Sequence, residues 1–250
     1  MIGKGWNILA VMALMLSLSA CNGIFDDIYD DAVDDEATKD GFQGGEGDGD
    51  SFTFTLDARS YVHWYYIDLR NRTVDTVEVA QALTGEWDGR SKCTYYNVHG
   101  SNYTELDSRP VDTQAEPEEW DIAIHHFDVK TNQGAVWESP YTSMDQLPEG
   151  AEAYGGVEFT PDEWCDNQCI VDLSTMMAYN VWYTSSMVNK VLTRWVTMDF
   201  STPPPVYSAS GKVYVLRMKD GSYAAMRLVS YMSDRGTKGY LTMEVKFLGS

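Results

Sequence analysis

The sequence predicts an all-β fold, a single antiparallel β-rich domain, on three observations. Apolar and polar residues alternate with period two through most of residues 51 to 250. The alternating runs are rich in aromatic and β-branched residues, which suit a pleated, half-buried surface. The connections between neighbouring runs are too short for the crossovers that parallel strands require. Residues 51 to 250 are also enough for one sizeable core.

Taken in order, Phe52 and Phe54 alternate with Thr53 and Thr55, and YVHWYYIDL at 61 to 69 is aromatic and β-branched. TVDTVEV at 73 to 79 alternates cleanly. Further strands are expected at 120 to 129 (WDIAIHHFDV), 170 to 173, 179 to 184, 212 to 218 (KVYVLRM), 222 to 229 (SYAAMRLV) and 239 to 247 (GYLTMEVKF). Asp220-Gly221 between two of these is a type I′ hairpin signal. The one helix-like stretch is short, from Ser186 to Trp195. Two regions break the strand rhythm. Residues 84 to 119 are rich in Gly, Ser, Asn and Pro, and residues 133 to 168 carry Pro140, Pro148, Gly150, Gly155, Gly156 and Pro161. Loops of that length within a compact domain are usually functional or disordered.

The first 20 residues read as a lipoprotein signal peptide. Lys4 precedes an apolar run from Trp6 to Leu18 that is too short to span a membrane. It ends in Leu18-Ser19-Ala20-Cys21, which resembles the lipobox of bacterial lipoproteins and makes Cys21 the expected lipidated N-terminus. Acyl chains at that position anchor the protein to a membrane. The alternative is an ordinary secreted protein with a chance cysteine there. Residues 21 to 50 hold eleven Asp and Glu against the single Lys39, half of the formal net charge of −20. Such a segment repels itself and buries little, so it is expected to be a disordered acidic tether. An acidic run just after the lipidated cysteine also resembles the surface-export signal of some Gram-negative lipoproteins. The charge balance argues against nucleic acid as a partner, because no basic run is available to meet phosphates.

Cys93, Cys165 and Cys169 remain, an odd count that forbids complete internal pairing. CDNQC reads as a polar turn that could bring Cys165 and Cys169 into a disulfide in an oxidising compartment. A zinc site needs two further ligands, and no second Cys/His pair lies nearby in sequence.

WDIAIHHFDVKTN (120 to 132), VNKVLTRW (188 to 195) and KVYVLRMKDGSYAAMRLVSYMSDRGTKGYLTMEVKF (212 to 247) resemble the HmuY-like haem-binding lipoproteins. The resemblance covers most of residues 118 to 247. It implies an all-β domain over residues 51 to 250 with two projecting loops forming a haem pocket. It also implies a role in taking haem from host haemoproteins and passing it to an outer-membrane TonB-dependent haem receptor. The expected location is the outer membrane, lipid-anchored, at the cell surface. The family's type member fills both axial positions of the iron with histidines, and other members use methionines. Here no histidine follows His126, so methionines are what the sequence offers in the ligand region.

Met144, in the polar loop SPYTSMDQLPEG, is one expected axial ligand; Met177, with Met176 as the alternative, is the other. On a strand, alternate residues face opposite ways, so only one of Met176 and Met177 is expected to face the pocket. Met187 is a third candidate, expected instead to pack beneath the short helical turn. Thioether ligation favours ferrous iron, and a neutral sulfur does not titrate as imidazole does. Core filling is the competing explanation for any single methionine. Tyr141, Tyr179, Trp182 and Tyr183 could line the porphyrin or serve as ordinary sheet aromatics.

His125 and His126 adjoin within an expected strand and so face opposite ways, one of them as a packed or hydrogen-bonded core residue. His99, in NVHGSN, is the alternative iron ligand. The sequence contains no nucleophile elbow, HExxH, P-loop or dinucleotide fingerprint, and no two carboxylates are spaced as an acid and base pair. A binding protein, not an enzyme, is therefore expected. Two other readings remain: a structural or adhesive surface lipoprotein of the same fold without haem, and a binder of another tetrapyrrole.

Overall fold

The computed structural model describes residues 41–44, 50–199 and 206–249. The strands in chain order are β1 (Gly41–Gly44), β2 (Ser51–Asp57), β3 (His63–Asp68), β4 (Thr73–Glu78), β5 (Lys92–His99) and β6 (Asn102–Pro110). They continue with β7 (Ile122–His125), β8 (Asp128–Thr131), β9 (Ala135–Glu138), β10 (Thr160–Pro161), β11 (Glu163–Asp172) and β12 (Asn180–Val188). The last are β13 (Val196–Asp199), β14 (Val206–Ala209), β15 (Tyr214–Arg217), β16 (Tyr223–Met232) and β17 (Lys238–Phe247). Among the described residues the only helical elements are 3₁₀ turns, so the fold is all-β and antiparallel. The chain divides into two compact units. The larger, residues 37–197 and 208–250, carries the features described below; the described residues of the smaller are Met198, Asp199, Val206 and Tyr207, in the β13 and β14 ribbon.

One sheet has seven strands in the order β1-β2-β17-β16-β15-β9-β10. Two four-stranded sheets run β4-β3-β7-β8 and β11-β12-β5-β6. The period-two pattern has its physical counterpart in β2, where Phe52, Phe54 and Leu56 are buried and the intervening residues are half-exposed. The two four-stranded sheets share a core. Trp64, Tyr66 and Ala123 from one meet Cys93, Cys165, Cys169, Val171 and Val188 from the other. A second cluster lies on the seven-stranded sheet, where Leu147, Tyr154 and Phe159 from the β9–β10 connection cover Val213, Val215 and Ala225.

Several expectations are corrected. The region 84 to 119 is not one long loop, since β5 and β6 pair within it from Lys92↔Pro110 to His99↔Asn102. Residues 133 to 168 likewise contain β9, β10 and the start of β11, although the stretch between β9 and β10 is a long loop. The Ser186–Trp195 stretch divides into the end of β12 and a 3₁₀ turn at Leu192–Trp195, with Met187 on the strand opposite Trp164. The segment expected to be a tether enters the sheet at its end, since Gly41–Gly44 pairs with Phe52–Thr55. Asp220-Gly221 does close a hairpin, but not as a type I′ turn. Only Gly221 has positive φ, at 85°, and its N–H donates to the Met218 carbonyl, giving a type I turn followed by a glycine bulge. Residues 1 to 40, with the signal peptide, Cys21 and most of the acidic segment, lie outside the described residues.

Candidate functional site

The first candidate loop joins β9 to β10. Its 3₁₀ turn, Met144–Gln146, is held by a reciprocal cap. Ser143 Oγ accepts from the Asp145 N–H, and Gln146 Oε1 accepts from the Ser143 and Thr142 N–H groups. A second 3₁₀ turn, Ala151–Tyr154, is tied down by the Tyr154 hydroxyl, which donates to the Pro148 carbonyl at 2.8 Å. Met144 and Tyr141 are half-buried, and both pack against the apolar cluster containing Leu147, Tyr154 and Phe159.

The second loop is the tip between β11 and β12, where Met176–Ala178 forms a 3₁₀ turn. Asp172 Oδ1 accepts from the Ser174 N–H, and Thr175 Oγ1 donates to the Asn180 carbonyl. Tyr95 donates to Thr175 Oγ1, while the Val98 N–H donates to the Tyr179 carbonyl at 2.7 Å, so the tip is pinned to β5. The strand-alternation argument for Met176 and Met177 does not apply, because both lie in a turn. Met176 is half-buried and Met177 is 60% exposed. Tyr179 ends the turn in the left-handed region, at φ 59°, with its ring equally exposed and 4.7 Å from the ring of His99.

Sequence-predicted site residues thus fall into two groups. Met144 and Tyr141 share the cluster on the seven-stranded sheet. Met176, Met177, Tyr179 and His99 share the tip of the sheet β11-β12-β5-β6. Trp182 sits lower on that sheet, stacked on Tyr95 at 4.9 Å with the Arg109 guanidinium over its ring, and packs partly against the shared core. Tyr183 is buried in contact with Tyr96 and Tyr103, and burial pushes its phenol above the ordinary tyrosine range. Tyr103 and Leu106 on β6 are exposed apolar residues on the same sheet. Sequence reasoning misses them, because every residue of β6 is exposed and no alternation marks the strand.

The cysteine expectation is corrected as well. Cys165 and Cys169 are free thiols, both buried, on β11 itself and not in a polar turn. A bulge separates them: Cys165 lies opposite Ser186 and Cys169 opposite Thr184, so each is committed to the sheet. Both histidines of the HH pair are buried. His125 ends β7, whereas His126 adopts φ 57° in the turn to β8, with its Nδ1 2.8 Å from the Tyr231 hydroxyl.

Comparison with known proteins places the chain in a family. A proposed lipoprotein from Bacteroides fragilis is 34% identical, with 84% of this chain and 95% of that one covered at a TM-score of 0.63. A proposed HmuY-like haem-binding protein from Bacteroides vulgatus is also 34% identical, covering 84% of this chain and 98% of its own at a TM-score of 0.62. The apo HmuY analogue of Tannerella forsythia, 24% identical with 80% and 96% covered and a TM-score of 0.61, shares the fold. No curated protein matches the chain. The family model described as HmuY protein matches residues 60–245, and the chain belongs to the HmuY family.

Proposed function

We propose that this protein captures haem and delivers it to an outer-membrane haem receptor, with haem as cargo and no catalytic step. Within that reading, residues 1 to 20 are the signal peptide, Cys21 carries the lipid anchor, and residues 51 to 250 bind haem. The relative from B. vulgatus, itself described as haem-binding, lends the reading its family support.

The observation that carries it is the tip of the β11–β12 hairpin. Met177 and Tyr179, two large side chains of apolar character, stand 60% exposed beside the exposed imidazole of His99. Leaving such surface in water is unfavourable, and covering it with a flat apolar ligand recovers that cost. A thioether there supplies one soft axial donor, Met177 first and Met176 second, and Met144 on the other loop supplies the opposite one. His99 is the alternative nitrogen donor.

A second reading has one observation behind it. Met144 packs against Leu147, Tyr154 and Phe159 as a core-filling methionine does, which suits a surface lipoprotein that keeps the fold and has no haem site. Visible-absorption titration of the full chain with ferric haem, then after dithionite, separates the two. The haem reading expects a six-coordinate spectrum, strongest on reduction, that is lost in Met144→Ala and Met177→Ala. Persistence in both, with loss in His99→Ala, moves the iron to the imidazole. No saturable binding leaves the structural reading.

A further inference from the structure

The shared core of the two four-stranded sheets contains a second cluster of donor atoms, far more buried than the hairpin tip. A ring nitrogen of His125, a carboxylate oxygen of Asp128 and the Sγ of Cys169 lie within 4.8 Å of one another, and all three residues are buried. His125 and Asp128 are the closing cross-strand pair of the β7–β8 hairpin, so their side chains share a face. Cys169 enters from β11, in the other sheet.

The protonation of His125 is fixed by its neighbours. Its Nε2 lies 2.7 Å from the Tyr61 carbonyl, which can only accept, so Nε2 carries the hydrogen. Nδ1 then holds a lone pair, and it is fully buried with no hydrogen-bond partner in the structure. An orphaned acceptor in a core is costly, and a cation is the one partner that satisfies it without a donor. A histidine whose second ring nitrogen donates to a backbone carbonyl is also the usual supporting arrangement of a metal ligand. Asp128 has similar support, its Oδ1 accepting from Gln168 Nε2 at 2.9 Å.

We propose that His125, Asp128 and Cys169 bind one zinc ion inside the core. A set of imidazole nitrogen, carboxylate oxygen and thiolate sulfur matches zinc, and the thiolate disfavours magnesium and calcium. Ligand atoms held about 2.0–2.3 Å from a tetrahedral zinc sit roughly 3.5 Å apart. The three groups therefore need to close by only about 1 Å. Three protein ligands leave the fourth tetrahedral position of the ion to a water.

The charges balance. Carboxylate and thiolate together neutralise a divalent ion. The other charged group facing this region, Lys130, is already matched by Glu116 and by the Trp64, Tyr66 and Trp120 rings. Zinc entry releases the proton from each of the two acids, and the ion is acquired as the chain folds.

The full chain, haem-free, is to be unfolded in guanidinium with chelator, then refolded with zinc or with cobalt. Metal content is read by atomic emission, and cobalt coordination by absorbance. About one bound zinc per chain is expected. The cobalt form should show a near-ultraviolet sulfur-to-cobalt charge-transfer band together with intense visible d–d bands of tetrahedral geometry. Cys169→Ala and Asp128→Asn should lose the metal while keeping the wild-type far-ultraviolet dichroism, and Cys93→Ala should retain both. The charge-transfer band reads the thiolate directly in the wild type, so its absence there overturns the site even if a variant fails to fold. Full metal retention in Cys169→Ala overturns it equally.

Discussion

The ring of Tyr179 rests 4.7 Å from the imidazole of His99, joining the last residue of the β11–β12 tip to the end of β5. Tyr179 makes this contact from the left-handed backbone region, at φ 59°, which costs a residue with a side chain roughly 1–2 kcal/mol. A strained, exposed aromatic is poor design for stability and sensible design for binding. Tyr179→Gly should therefore raise the unfolding free energy by about 1 kcal/mol in urea, while weakening haem binding in the titration. A variant that loses stability instead would assign the ring a packing role.

Trp182 is expected to behave in the opposite way. Stacked on Tyr95, capped by Arg109 and half-buried against the core, it is a structural aromatic. Trp182→Ala should cost about 2–3 kcal/mol of stability, toward the lower end for a large aromatic truncation. Haem affinity of the folded fraction should be unchanged in an equilibrium titration.

Lys130 is buried among three aromatic rings and paired with Glu116, which is 44% exposed. Removing the anion strands the cation, whereas removing the cation leaves an anion that water can solvate. Glu116→Ala should cost roughly 2 kcal/mol, and Lys130→Met should stay within about 1 kcal/mol of wild type. Urea unfolding of both variants checks the asymmetry, and equal losses would contradict it.

Burial raises the pKa of Asp121 above its ordinary value of 3.8, although the Leu69 N–H bond to its Oδ2 pulls the other way. A carboxyl whose pKa is higher folded than unfolded contributes stability that is complete below the unfolded value. That contribution is lost as pH rises through the folded one. Asp121→Asn keeps an acceptor for Leu69 and has no charge to desolvate. Its stability relative to wild type should therefore improve between about pH 4 and pH 7, as measured by chemical denaturation at both.

The three described cysteines are buried thiols. A thiol reagent should react with none of Cys93, Cys165 and Cys169 in the native protein, and with all three in denaturant containing chelator but no reductant. Recovery of Cys93 alone in denaturant would restore the Cys165–Cys169 disulfide.

Strands such as Ser51–Asp57 and Lys238–Phe247 were legible because one face is buried, so the chain must alternate. Asn102–Pro110 was not, because every residue on it is exposed and nothing obliges it to alternate. Its existence follows from hydrogen bonding to β5, a tertiary fact. Strand alternation does not govern Met176 and Met177, because β11 stops at Asp172 and a 3₁₀ turn carries them. Chain order offers no second ligand pair for zinc, because His125 and Asp128 reach Cys169 only where two sheets face each other. Loop pairings and core clusters of this kind depend on register and packing, which periodicity does not encode.

β1 reaches the seven-stranded sheet through only four residue pairs, and its open end, Gly41 opposite Thr55, is the end that leads back to the N-terminal segment. Besides those pairs, the Phe42 ring of β1 packs on Phe52 and Phe54 of β2, so separating β1 would uncover both rings as well as backbone. The backbone edge it would leave is that of β2, a rim able to pair with another strand.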